Sequence, residues 1–231
     1  MKKVAIPVLV LIAILILNCS GVAWALDPVD IGVEIHAGWS EFSNPDSDQN
    51  LDSHSIRGLG IEARQGRFSL ELSADWIKTD VKKDLFFGFS APPVIIIGGV
   101  ATAKGQLTIV PILLTGRYHF GAKEDLIDPY IGMGGGYYLL SYEAGSTDGG
   151  IVGKTGLSDD INFHSTAGLH VNLGLDIHIT PDLAFTVDGR YVWASSKITF
   201  SDALAGFDTG NDTLRLDSWV TTFGLKYYFK N

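Results

Sequence analysis

The chain has 231 residues, 46% of them hydrophobic, with one cysteine and a formal charge of −9 at pH 7. An acidic chain with no basic block is a poor nucleic-acid binder, and a lone cysteine excludes a disulfide framework. After the first 25 residues no run of about 18 apolar residues occurs, which excludes a bundle of membrane-spanning helices.

Residues 1–25 read as a cleaved secretory signal. Lys2 and Lys3 supply the positive start, Val4 to Leu17 is apolar around Pro7, and Ala23-Trp24-Ala25 is a small-x-small site cut before Leu26. Asn18 ahead of Cys19 fits lipoprotein processing poorly. Cleavage removes two lysines, no acids and the cysteine, so the formal charge moves from −9 to −11. Residues 26–231 then form one domain.

Period-2 alternation runs through that domain. In the first segment Ile31, Val33, Ile35, Ala37 and Trp39 oppose Gly32, Glu34, His36, Gly38 and Ser40. Leu59, Ile61 and Ala63 then oppose Gly58, Gly60, Glu62 and Arg64. Past the Gln65-Gly66-Arg67 turn, Phe68, Leu70, Leu72, Ala74 and Trp76 oppose Ser69, Glu71, Ser73 and Asp75. The fourth segment, 107–120, starts apolar on both faces and ends with Tyr118 and Phe120 opposite Arg117 and His119. The fifth, 129–143, is rich in Gly and Tyr, and its phase is open. The sixth sets an unbroken apolar row from Ala167 to Ile179 against Thr166, Gly168, His170, Asn172, Gly174, Asp176 and His178. The seventh opposes Leu183, Phe185, Val187, Tyr191 and Trp193 to Thr186, Asp188 and Arg190; the eighth opposes Trp219, Phe223, Leu225, Tyr227 and Phe229 to Ser218, Thr222, Gly224, Lys226 and Tyr228.

Short connections (65–67, 121–128, 180–182) alternate with long ones (43–54, 79–105, 144–162, 195–213). An even number of strands of about ten residues, with alternating connections and aromatic segment ends, predicts an all-β, eight-stranded, antiparallel, up-and-down transmembrane barrel in a Gram-negative-type outer membrane. Closure is required because lipid cannot satisfy a sheet edge. A soluble sandwich or lipocalin-like barrel also alternates, but the sixth segment's apolar row is longer than most globular strands supply.

The up-and-down order assigns heights to the inward row. Glu34, His36, Glu62, Arg64, Glu71, Arg117, His119, Asp176, His178 and Lys226 fall in the periplasmic half. Gly38, Ser40, Ile56, Gly58, Ile77, Leu107, Ile109, Val192 and Val220 fall in the outer half. Buried charges need partners, so the first set is expected to form a polar plug. Above it, Ile56, Ile77, Leu107, Ile109, Val192 and Val220 are expected to line an apolar, ligand-binding pocket open to the outside. The alternative is a filled barrel, since eight strands enclose little more than their own side chains.

From Gly105 onward the chain resembles the OmpW family. The residues that carry this are 107–115 with Pro111 in the strand, then Arg117-Tyr118-His119-Phe120, then Asp128-Pro129-Tyr130-Ile131-Gly132-Met133-Gly134, and the closing 225–229 strand. The resemblance implies an eight-stranded barrel with a narrow hydrophobic channel, implicated in uptake of small hydrophobic molecules. Lys230 and Asn231 follow Phe229, whereas such barrels usually end on the aromatic residue read by the barrel-assembly machinery.

Other constellations are weaker. His170 and His178, about 26 Å apart along a strand, cannot share an ion; His164 is read on the same face. His36, His119 and His178 meet more plausibly in a hydrogen-bonded core than around a metal. Asp46, Asp48, Asn50 and Asp52 lack the Gly and closing Glu of a calcium loop. Gly132 to Gly136 lies in a strand and is no nucleotide fingerprint, its glycines serving close packing. His164-Ser165, adjacent on one strand, point to opposite faces and make a poor hydrolase pair. Val94 to Ile97 either continues the fourth strand or forms an apolar lip.

The expectation is passive, non-catalytic uptake without a cofactor or metal. The partners are outer-membrane lipid, lipopolysaccharide, small hydrophobic molecules and the assembly machinery, with no nucleic acid. The alternative is a non-conducting structural or adhesive barrel acting through its outer loops. The solute and the oligomeric state stay open.

Overall fold

The computed structural model describes residues 29–43, 54–89, 97–123, 125–144, 161–200 and 212–229. The expected signal 1–25 with its Ala25/Leu26 cut, the acidic run 46–52 and residues 94–96 lie outside them.

Among the described residues ten strands follow in order: β1 (Asp30–Phe42), β2 (His54–Gln65), β3 (Phe68–Phe89), β4 (Ile97–His119), β5 (Ile127–Ala144), β6 (Ile161–Phe163), β7 (Thr166–Thr180), β8 (Leu183–Phe200), β9 (Asp212–Arg215) and β10 (Ser218–Phe229). Eight of them close a barrel in the order β1-β2-β3-β4-β5-β7-β8-β10, and β10 returns to β1 from Ile31↔Phe229 to Phe42↔Ser218. Every pairing is antiparallel. The short β6 and β9 pair with the outer end of β8.

Alternation in the sequence becomes two surfaces. In β10 the residues Ser218, Val220, Thr222, Gly224, Lys226 and Tyr228 are buried, while Trp219, Phe223, Leu225, Tyr227 and Phe229 face out. Leu169 and Leu173 on β7 are about two-thirds exposed, at 66% and 67%. Such a surface is stable against lipid tails, not water. Aromatic side chains mark both ends of it. Trp39, Trp76, Trp193 and Trp219 are exposed toward the long connections, and Phe68, Phe120, Tyr227 and Phe229 toward the short ones.

The short turns have local causes. Gly66 sits at φ 58° between β2 and β3, a left-handed conformation that glycine adopts without strain. Between β7 and β8 the Thr180 hydroxyl accepts from Leu183 N at 3.1 Å. Between β4 and β5 Asp125 accepts from Ala122 N at 2.7 Å, and Asp128 from Gly121 N at 3.0 Å.

Three local expectations change. The connection read at 79–105 is largely paired backbone, since β3 and β4 stay in register from Phe68↔Tyr118 to Phe89↔Ile97. A hairpin satisfies its own inner edges and can rise above the membrane as strand. Ile97 accordingly opens β4. β8 likewise runs to Phe200, past the expected loop start at 195. Finally, His164 and Ser165 are not on a strand but in the break between β6 and β7, where His164 N donates to Lys197 O at 3.2 Å. His164 therefore does not share a strand face with His170 and His178.

Candidate functional site: a divided interior

The inward row of the half toward the short turns, which the sequence reading assigns to the periplasmic side, is a charge network. All ten polar residues expected there are interior, each 9% exposed or less. Glu62 of β2 is the hub. It accepts from Lys226 Nζ at 2.9 Å, Arg117 Nη1 at 2.9 Å and the Tyr228 hydroxyl at 2.9 Å. Arg117 also donates to Glu71 at 2.7 Å. Lys226 reaches Asp176 at 3.1 Å and Glu34 at 3.5 Å, and Asp176 accepts from the Thr186 hydroxyl at 2.8 Å. His36 stands between Glu34 at 3.2 Å and Asp75 at 2.6 Å. Nearer the turns, Asp128 accepts from Arg64 at 2.6 Å and faces His119 Nδ1 at 2.8 Å, while His119 Nε2 lies 3.0 Å from the Ser69 hydroxyl. His178 Nδ1 meets the Asp125 carbonyl at 2.9 Å.

The glycines of β5 make room for this packing. A Cβ at Gly132 would meet Asn172 and Arg117, one at Gly134 the Leu114 carbonyl and His170, and one at Gly136 Leu113. β5 thereby acquires its phase. Asp128, Tyr130, Tyr138 and Leu140 face in; Ile131, Met133 and Tyr137 face out.

His119, Asp128 and Asp176 could bring one ligand atom each within 4.8 Å of the others. Their carboxylates are already committed, Asp128 to Arg64 and Asp176 to Lys226. A metal ion would have to displace both cations, so the donor set does not suit one.

The outer half is apolar. Ile56, Ile77, Leu107, Ile109, Val192 and Val220 form one cluster with Leu113, Tyr138, Leu140, Ala194 and Leu216. The first six are between 0% and 5% exposed and pack within this one cluster. Leu216 enters this cluster from the break between β9 and β10, where its N donates to Ala194 O at 2.8 Å and Asp217 accepts from Ala194 N at 3.1 Å. Among the described residues, the regular ladder beside the cluster is shorter on one side of β5 than on the other. β5 pairs with β4 as far as Ala144, but with β7 only as far as Tyr138↔Thr166. Leu140 N instead reaches the Ser165 hydroxyl at 3.4 Å.

Sequence reasoning missed several interior residues. Asp75, Asp188 and Arg190 carried the right parity but lie at mid-height, between the two sets. Asp128 and Tyr130 belong to the unphased strand, and Leu216 to an expected loop. Parity alone signals the first three; nothing in the local sequence signals Leu216.

Comparison with known proteins agrees with this architecture. The family model for the OmpW family matches residues 95–229, more than half of the chain. Outer membrane protein W of Salmonella typhi is 30% identical over 132 residues, a match that covers 57% of this chain and 57% of that protein. The crystal structure of OprG from Pseudomonas aeruginosa has a TM-score of 0.53 at 16% identity, covering 88% of this chain and 95% of that one. Neisserial surface protein A also has a TM-score of 0.53, at 13% identity, covering 87% and 97%. These two structures support the barrel fold alone. The closed eight-stranded barrel and the family match together place the chain in the OmpW family of outer-membrane β-barrel proteins.

Proposed function

We propose that the barrel gives small hydrophobic molecules passive passage through the polar outer leaflet, with no catalytic step. A solute enters the outer half by parting the apolar side chains, meets the charged floor, and leaves sideways through the wall. The single observation that carries this reading is the continuous apolar cluster from Leu216 down to Leu113, with the mid-height residues Asp75, Asp188 and Arg190 between it and the network centred on Glu62. Parting apolar side chains strands no charge. Crossing the floor would separate buried ion pairs at a cost of several kcal/mol. The β5–β7 ladder ends at Tyr138↔Thr166, beside cluster members Tyr138 and Leu140, and on this reading the lateral exit lies there.

The six apolar residues named from sequence are on this reading the solute-contacting wall, and the ten polar ones the plug. Lipopolysaccharide surrounds the mouth, the barrel-assembly machinery inserts the chain, and the signal 1–25 exports it.

The test is uptake of alkane-like probes into vesicles containing the folded barrel, with folding checked by heat-modifiable gel migration. Ile109→Asp and Val192→Asp should each depress uptake strongly, since an unpaired carboxylate in an apolar enclosure costs several kcal/mol. Uptake indifferent to the protein or to both substitutions would sink the reading and favour a barrel that acts through its outer loops.

A further inference from the structure

Arg190 stands farther from carboxylate oxygens than the other cations of the interior, and like Arg117 it has an Nε without a partner. Arg64, Arg117 and Lys226 each lie 3.1 Å or less from a carboxylate oxygen. Arg190 is 5% exposed, yet its Nη atoms stand 3.6 Å from Asp75 and from Asp188, beyond hydrogen-bond length, and its Nε has no partner. The two carboxylates are engaged elsewhere. Asp75 lies 2.6 Å from His36, and Asp188 accepts from Tyr130 at 2.9 Å and Asn172 at 2.6 Å.

The position of this guanidinium is the second observation. Arg190 pairs with Val220 on one side and Asn172 on the other, and the next inward residue of its strand, Val192, belongs to the apolar cluster. Two more buried polar atoms without partners belong to this junction, the Tyr138 hydroxyl and His170 Nδ1. His170 pairs with Val192, two residues from Arg190 on the same face of β8. Tyr138 is itself a cluster member, and its ring lies over Gly168, two residues from His170 on the same face of β7. His170 Nε2 faces the Thr115 hydroxyl at 2.8 Å. When it accepts that proton, Nδ1 is left as a donor.

Three polar groups with an unfilled hydrogen-bond position, one of them a guanidinium ion-paired at 3.6 Å with Asp75 and Asp188, thus sit at the foot of an apolar half. A plain hydrocarbon in that half leaves all three unsatisfied. A carboxylate at the end of an apolar chain would accept from the Nε edge of Arg190 and from the Tyr138 hydroxyl, as charge-assisted hydrogen bonds. We propose that this junction binds the head of a monocarboxylate amphiphile, of the medium-chain fatty acid type, with its tail among Ile109, Val192 and Val220. The inference rests on the passage proposed above and names the solute class that passage favours.

Uptake of decanoate and of decane is compared at matched chain length, in vesicles holding the folded barrel. Arg190→Met should lower decanoate uptake about tenfold, the usual worth of one charged hydrogen bond, and leave decane uptake unchanged or raised. Arg190→Lys should recover part of the loss. Tyr138→Phe, which removes one oxygen and keeps the ring, should lower decanoate uptake by a smaller factor, and by more than it changes decane uptake. It carries the test if the arginine variants do not fold. Decanoate uptake indifferent to these substitutions would mean that the junction holds only water, and would overturn the assignment. So would equal losses for both probes. If wild-type protein admits decane but not decanoate, the head site fails while the passage stands; if it admits neither, the passage itself fails.

Discussion

The two halves of this barrel share one wall and one inward parity, yet they are held by different physics. In the half toward the short turns Lys226 meets Glu62 across 164 residues of sequence at 2.9 Å, and Arg117 meets Glu62 and Glu71 at 2.9 and 2.7 Å. Each bond has a direction and one partner geometry, and removing a partner strands a buried charge. In the outer half Leu107, Ile109 and Val192 are just as buried but are held by contact alone. Contact has no preferred partner. The apolar half can therefore deform and re-close, whereas the charged half fixes the closure of β10 on β1 and β2. On the passage proposed above, this division lets the barrel admit a solute while remaining a barrier.

The largest effect should come from breaking the charged half. Lys226→Met leaves Glu62, Asp176 and Glu34 without their shared cation and should cost about 3–5 kcal/mol. Urea unfolding in lipid vesicles, followed by tryptophan fluorescence, measures it. A loss near zero would mean that the network does not act as a unit.

Leu107→Ala tests the other half. Leu107 is 0% exposed, and its truncation should cost roughly 2–4 kcal/mol for lost transfer energy and the cavity left behind. If the apolar half is the part that yields, the same variant should raise decane uptake while lowering the urea midpoint. A lower midpoint with lower uptake would argue that this half is structural packing only.

The third effect separates the inner face from the outer. Gly134→Ala would push a methyl against the Leu114 carbonyl and the His170 ring, and should cost about 1–3 kcal/mol. At Gly189 and Gly116 the nearest atoms to an added Cβ are backbone oxygens at 3.8 and 3.9 Å. Alanine there should be neutral or slightly stabilising, because glycine weakens a strand. The three variants compared by the temperature of their gel-mobility shift would show whether the β5 glycines serve packing.

What the sequence revealed follows the same division. Parity is local, so it was legible wherever polar and apolar residues contrast, as in β7 or β10, and the inward residues Glu34, Arg117 and Lys226 could be named from it. β5 lacked that contrast because its inward row carries Gly132, Gly134 and Gly136, whose space is filled by side chains from β4 and β7. Partner choice was not legible at all. Nothing near Glu62 says that its cations stand at 117 and 226, because register and barrel closure decide that. The same holds for Leu216, which reaches the apolar cluster only because β9 pairs with β8 and returns the chain over the outer end.

The smallest effect uses one chemistry at two depths. Lys123, in the turn between β4 and β5, lies 2.6 Å from Asp30, a shorter contact than any Lys226 makes, and its Nζ stands 4.9 Å from the Tyr228 ring centroid. Its side chain is 22% exposed and that of Asp30 28%, so water already solvates both charges and salt screens them. Lys123→Ala should therefore cost about 0–1 kcal/mol, and that cost should shrink between low and high salt. The Lys226→Met penalty should not, because no ion reaches a side chain that is 0% exposed. If the two penalties instead fell together with salt, water and ions would be reaching the floor of the barrel. The charged half would then be a wet vestibule, and the sideways exit proposed for the solute would lose its physical reason.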